Sequence, residues 1–246
     1  MQPDSYRNIF TTWKPEIVIQ AAWETNQKIY RTSPQNLQYM NATLEFAERS
    51  YQSGVRHILA LGSCAEYGIP KEPCNALTTP AIPIDVYGAH KLQTLITLKE
   101  LAEKYSCKLS WARIFQPYGP NQDPSRLLPF ARHELLMGNK FKVTSPNAIL
   151  DWISSRDVAS ALTYAVRCPV NEIFDVGTSI PIPVIQVLQS LVSILNVDSN
   201  LLDFESMENS DNKDVSIVVS KQSPLFNAGW SPQDDLVSGL TWMLAA

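Results

Sequence analysis

The chain has little glycine: nine residues in 246, nowhere spaced as G-x-x-G-x-x-G. That absence excludes a glycine-rich turn within it that would cradle a pyrophosphate against a helix N-terminus. Cysteine is scarce too. Cys64, Cys74, Cys107 and Cys168 are too few and too irregularly spaced for a disulfide framework or a zinc site, so four reduced thiols in a cytoplasmic protein are expected. No window approaches the roughly 18 apolar residues that cross a bilayer. The opening Met1-Gln2-Pro3-Asp4-Ser5-Tyr6 lacks the basic flank and apolar stretch of a secretory signal. Neither sign of charge dominates: 20 basic residues against 24 acidic give a net charge of −4. A broad basic surface is therefore absent, and neither nucleic acid nor a membrane is expected as a partner.

What remains is ordinary globular composition, 45% hydrophobic and 18% charged, long enough for one large core or a core with a small lobe. Short apolar runs alternate with helical periodicity. Glu16 to Ala22, Arg56 to Gly62 and Leu109 to Phe115 read as strands buried on both faces. Ser33-Pro34 opens a helix over 34–53, and apolar spacing at 92, 95, 98, 101, 102 and 105 predicts another over 87–105. Such alternation indicates a parallel α/β sheet with right-handed crossovers. Further helices are expected over 127–138, 155–167, 183–195 and 235–244. Strands are expected over 149–153, 171–177 and 215–219, with a polar break at 205–214.

The chemistry centres on Tyr87-Gly88-Ala89-His90-Lys91. Tyrosine and lysine four apart at a helix start project from one face, one turn apart. A free tyrosine, with a pKa about 10, is a poor base at neutral pH, and a nearby ammonium is expected to lower that value. On spacing alone the signal is weak, and an exposed helical pair is the better explanation. Context adds weight. Gly62-Ser63-Cys64-Ala65-Glu66-Tyr67-Gly68 follows one buried strand and Arg113 to Pro120 the next, at the edge where parallel sheets place their sites.

Together these motifs resemble the extended short-chain dehydrogenases of the NAD-dependent epimerase/dehydratase family, over residues from about 15 to 244. The resemblance implies a Rossmann-like doubly wound α/β sheet, with a partial dinucleotide-binding core in 1–120. The rest, 121–246, is implied to form mainly a small substrate lobe, with some elements returning to the core. It implies Ser63, Tyr87 and Lys91 as catalytic residues, with Lys91 also binding the nicotinamide ribose. Ala21, Ala22, Tyr87, Lys91, Phe115 and Pro117 would line an NAD or NADP cofactor, and Ser63, Gln116 and Arg126 would touch a nucleotide-sugar substrate. A homodimer through the helices at 34–53 and 87–105 is implied as well. Asp151-Trp152-Ile153 with Arg156-Asp157-Val158-Ala159 resembles the family's substrate-lobe signature.

The departures are specific. The glycine turn is missing, and about three strands with their helices are expected to precede Pro15, which would leave Ile17 to Ile19 on an apolar sheet edge. A misplaced start, a fragment and a stripped-down relative all stay open. Cys64 and Ala65 stand where the 4,6-dehydratases carry Asp-Glu, so epimerisation or keto-sugar reduction is expected over dehydration. Gln116 replaces the usual Asn. Leu150 and Glu208 stand where diphosphate-clamping arginines are expected, leaving Arg126 and Arg132 to supply positive charge. His90, inside the Tyr-Lys motif, reads as a surface residue, and His57 and His133 have no acid or nucleophile partner in evident spacing. Cys64 reads as a packing thiol, and Trp111, Trp152 and Trp230 as core. The rival reading is a non-catalytic descendant of the family that acts as a binding protein.

Overall fold

The computed structural model describes residues 7–26, 28–143, 145–204 and 216–245. Its first half runs α1 (Arg7–Trp13), β1 (Ile17–Gln20), α2 (Gln35–Gln52), β2 (His57–Ser63), α3 (Val86–Lys104) and β3 (Lys108–Ile114). It continues with β4 (Gln116–Tyr118), α4 (Leu127–Leu136), β5 (Phe141–Lys142), β6 (Ile149–Ser154), α5 (Ser155–Arg167) and β7 (Ile173–Val176). Then come β8 (Pro181–Pro183), α6 (Val184–Leu195), β9 (Leu202–Asp203), β10 (Ser216–Ile217), α7 (Pro224–Asn227) and α8 (Leu236–Ala245).

The main sheet has the order β1-β2-β3-β7, every pair parallel. Alternation along its strands divides two cores. Ile58 and Ala60 of β2, with Leu109 and Trp111 of β3, face α2 and α3 through Ala47, Tyr51, Leu95 and Leu98. Leu59 and Ala112, with Phe174 and Val176 of β7, face the other side. There they meet Ala161, Leu162 and Ala165 of α5 and Leu225 of α7. Helices on both faces explain why these strands read as unbroken apolar runs. A lobe of α4, α6 and α8 packs Leu128, Leu135, Leu188, Leu191 and Leu240 against Trp152 of β6 and Tyr118 of β4. Because β7, α5 and α7 return to the main sheet, residue 120 divides the sequence and not the space.

β1 is the edge strand of this sheet among the described residues. Only four residues long, it leaves Ile17 and Ile19 41% and 48% exposed. Ala21 and Ala22 lie beyond it, so the strand expected over 16–22 stops short. The short elements α1, β4, β8 and α7 were not expected from periodicity; each spans too few residues to show a period. The polar stretch 205–214, including Glu208, lies outside the described residues, as does Val215 of the strand expected there. Ser216 and Ile217 of that strand pair parallel with β6.

Candidate active site at the carboxyl end of the sheet

β2 delivers Ser63 to the carboxyl end of the sheet, where a single 3-10 turn, Cys64–Tyr67, begins. Ser63 Oγ accepts from Ala65 N–H at 3.2 Å, and Ser63 N–H donates to Glu66 Oε1 at 2.8 Å, a reciprocal cap. Glu66 is fully buried, and its charge is met by Arg113 Nε at 2.8 Å and Trp111 Nε1 at 3.0 Å. Arg113 also donates to the Tyr67 hydroxyl at 3.0 Å, which donates to Asp175 Oδ1 at 2.6 Å. Burial raises Asp175 to about 6. This chain of buried polar groups ties the Ser63 turn to the ends of β3 and β7. Gly62 is required beneath it: a Cβ there would stand 2.6 Å from Glu66 Oε1.

The start of α3 brings the second part of the site. Asp85 caps the helix by accepting from Gly88 N–H at 2.7 Å. Gly88 lets the helix approach the Ser63 turn, because a Cβ there would sit 2.5 Å from the Ala65 carbonyl oxygen. The glycine between Tyr87 and Lys91 thus has a geometric reason. Tyr87, at the start of α3, lies near enough to Ser63 for the two side chains to interact. Lys91 Nζ donates to the Leu61 carbonyl at 2.8 Å and lies 5.9 Å from the Tyr87 ring centre.

The electrostatics reverse the sequence expectation for this pair. Burial pushes the Tyr87 phenol up, and the contact with Ser63 only partly offsets it. Burial also lowers Lys91 to about 7, with Glu66 pulling the other way. Desolvation disfavours both charged forms more than the two groups favour each other. The folded pair therefore holds a neutral tyrosine beside a lysine poised near neutrality, instead of a phenolate beside an ammonium.

The other expected residues fall around this centre. Ala21 and Ala22 are exposed at the carboxyl end of β1. Phe115 is buried against Tyr67, ring centres 6.3 Å apart, and its N–H donates to the Val176 carbonyl. Gln116 and Pro117 open β4, half-buried. With Arg126, the residue before α4, and Trp152, they line a cavity of about 50 Å³. Trp152 is core, as read from the sequence, yet its buried Nε1 has no hydrogen-bond partner among the described residues. Arg132 is exposed on α4, and Leu150 packs beside the lobe's core.

The lobe signature proves to be two clasps. Asp151 accepts from Thr178 N–H and Oγ1 at 2.6 and 2.7 Å, and from the N–H groups of Ser179 and Val219. Asp157 accepts from the N–H groups of Gln233 and Asp234, whose carboxylate pairs with Arg156. His57 bonds Ser110 at 2.9 Å near the opposite end of the sheet, and burial lowers it to about 4. Cys64 is half-buried, and burial pushes its thiol up to about 12, as fits a packing role. All four cysteines are free, and no described helix is long and apolar enough to cross a membrane.

Sequence reasoning missed Trp23 and Glu66. Trp23 is buried with its ring centre 3.9 Å from Lys91 Nζ, and only its place directly after Ala21-Ala22 hinted at it. Glu66 lay inside the Ser63 motif, but its buried partner Arg113 is 47 positions away.

The sequence and the fold are similar to those of known proteins. UDP-glucose 4-epimerase of Streptococcus mutans is 24% identical over 213 residues, covering 78% of this chain and 63% of that protein. Mouse dTDP-D-glucose 4,6-dehydratase is 21% identical over 234 residues, covering 92% and 65%. The chain thus spans a little under two thirds of these relatives' length. Its fold superposes on UDP-glucose 4-epimerase of Thermotoga maritima, solved with UDP-glucose, with TM-score 0.81, 22% identity and coverage of 97% and 79%. For dTDP-glucose 4,6-dehydratase of Bacillus anthracis, solved with NAD, the TM-score is 0.79 at 17% identity, with coverage of 97% and 74%. The sequence pattern of the NAD dependent epimerase/dehydratase family matches residues 1–177, and the chain belongs to that family.

Proposed function

We propose that this chain carries the acid–base machinery of an NAD(P)-dependent epimerase or keto-reductase acting on a nucleotide-activated sugar. The observation that carries the proposal is the convergence of Ser63, Tyr87 and Lys91 at one end of the parallel sheet, held by the Gly88 approach. Tyr87 gives a proton to, or takes one from, a sugar oxygen, and Ser63 orients that oxygen. With its phenol held neutral, Tyr87 starts as the acid, which suits a keto group becoming a hydroxyl. Lys91, poised near 7, supports the charge that Tyr87 acquires when the proton leaves. Gln116, Arg126 and the unpartnered Trp152 Nε1 offer donors to the substrate around one small cavity.

The donor set fits the reacting end of a dinucleotide: Lys91 for a ribose hydroxyl, with Ala21, Ala22, Phe115 and Pro117 nearby at the strand ends. When bound, the nicotinamide would supply the site for hydride exchange with the sugar carbon. The pyrophosphate end has no glycine cradle among the described residues. Gly54 and Gly138, where an added Cβ meets nothing within 4 Å, instead close α2 and α4. The indole covering Lys91 favours the second reading, a binding protein on the same scaffold.

The proposal extends to a cytoplasmic homodimer through α2 and α3, which expose Leu37 and Ile96. Turnover of UDP- and dTDP-hexoses by the wild-type chain and Tyr87→Phe tests the chemistry. Removing the proton-transferring group should cost about 100-fold or more in kcat. A fully active Tyr87→Phe enzyme would sink the assignment.

A further inference from the structure

We infer that Trp23 is a positioning residue of the Tyr87–Lys91 pair, its indole face holding the Lys91 ammonium at the end of β2. The inference rests on the reading of that pair given above. Lys91 is 3% exposed, so its ammonium has lost nearly all its water. In place of water stand the Leu61 carbonyl at 2.8 Å and the Trp23 ring face at 3.9 Å. Of the charged groups on the surrounding elements, Glu66 acts on Lys91, but its carboxylate is already bonded to Arg113 and Trp111. Tyr87, on the lysine's own helix, is held neutral by burial. After the Leu61 carbonyl, the indole is thus the nearest group that favours the charged lysine without being a counter-ion.

The ring is itself held in place. Trp23 Nε1 donates to Asn36 Oδ1 at 2.8 Å, and the Asn36 amide donates to the carbonyls of Tyr30 and Ser33 at 2.6 and 2.9 Å. Asn36 is fully buried and satisfied, which fixes the indole plane. Tyr30 packs edge-on against Tyr87 at 5.0 Å, and Trp23 does the same at 6.5 Å. Tyr87 N–H donates to the Arg31 carbonyl, and Arg31 pairs with Asp85, the cap of α3. The segment after β1 is therefore laced to the helix that bears both titrating groups. A ligand atom that reaches Lys91 Nζ must share it with this ring.

Tryptophan emission of the intact chain, titrated from about pH 5 to 9 and taken as wild type minus Trp23→Phe, isolates Trp23 from the other five tryptophans. The expected result is a step with a midpoint near 7 that disappears in Lys91→Met, whose fold is checked by circular dichroism. A flat difference titration, or a step that survives in Lys91→Met, overturns the inference. Neither readout depends on turnover, so an inactive chain that shows the step refutes the catalytic reading while retaining the contact. In an active chain, Trp23→Leu should move the lysine-dependent limb of the kcat profile down by about one pH unit, with KM changed less than about twofold. Trp23→Phe, which keeps a ring face, should show little of that shift. A Trp23→Leu profile that superposes on wild type contradicts the role.

Discussion

The two sides of the main sheet differ sharply. At its centre, β2 and β3 run seven residues each, pair on both sides, and end in buried charges that are bonded in full view of one another. At its edge, β1 runs four residues, pairs only with β2 among the described residues, and exposes Ile17 and Ile19. The centre is where the fold can hold side chains to fixed positions: Ser63 ends β2, and Tyr87 and Lys91 stand on α3, which packs against β2 and β3. The edge is held mainly by its single parallel ladder and by Phe10 and Val18 against α2. Unpaired strand edges invite another strand.

Substitutions at the two places should therefore have very different costs. Arg113→Ala should be the most damaging, by about 3–5 kcal/mol in urea unfolding, since it leaves Glu66 buried without its partner. Replacing both, as Glu66→Gln with Arg113→Met, should recover much of that loss; a double variant as unstable as the single one would show that packing matters more than charge. Leu59→Ala, at a fully buried position of β2, should cost about 2–5 kcal/mol by the same measurement. Ile19→Thr, on the half-exposed edge, should cost under about 1 kcal/mol. Equal losses at residues 19 and 59 would mean that the edge is covered in solution.

Lys91 gives a pH test of the centre. Its folded value lies near 7 against 10.5 for a free lysine, so between these values the unfolded chain binds more protons. Stability should consequently rise with pH from about 7 to 10, by up to about 1.4 kcal/mol per unit from this group alone. Lys91→Met removes that slope. The variant should be the more stable chain at pH 6, with its advantage shrinking as pH rises; parallel slopes for the two proteins would contradict the burial of a neutralised lysine.

The sequence made the centre legible and left the edge and the electrostatics obscure. Apolar runs at 56–62 and 109–115 announced buried parallel strands, and the positions at 92, 95, 98, 101, 102 and 105 announced α3, since burial on both faces or on one stripe leaves a local signature. Ser63, Tyr87 and Lys91 could be placed at one sheet end because strand ends and helix starts follow from those patterns. Glu66 with Arg113, and Trp23 with Lys91, are contacts between residues 47 and 68 positions apart, which no local period encodes. The direction of the Tyr87 shift was missed for a related reason. Spacing revealed the neighbouring ammonium, but desolvation depends on Trp23, Tyr30 and the rest of the surround. Asp151 and Asp157 carried a family signature, but their clasps became visible only with the backbone they bind.

The most direct test of the central claim is calorimetric titration of the purified 246-residue chain with NAD⁺ and NADP⁺. Micromolar binding of either, weakened in Lys91→Met, is the predicted result and would place the dinucleotide at the Tyr87–Lys91 end of the sheet. No binding by a folded, monodisperse protein would contradict the claim that this chain itself performs the chemistry.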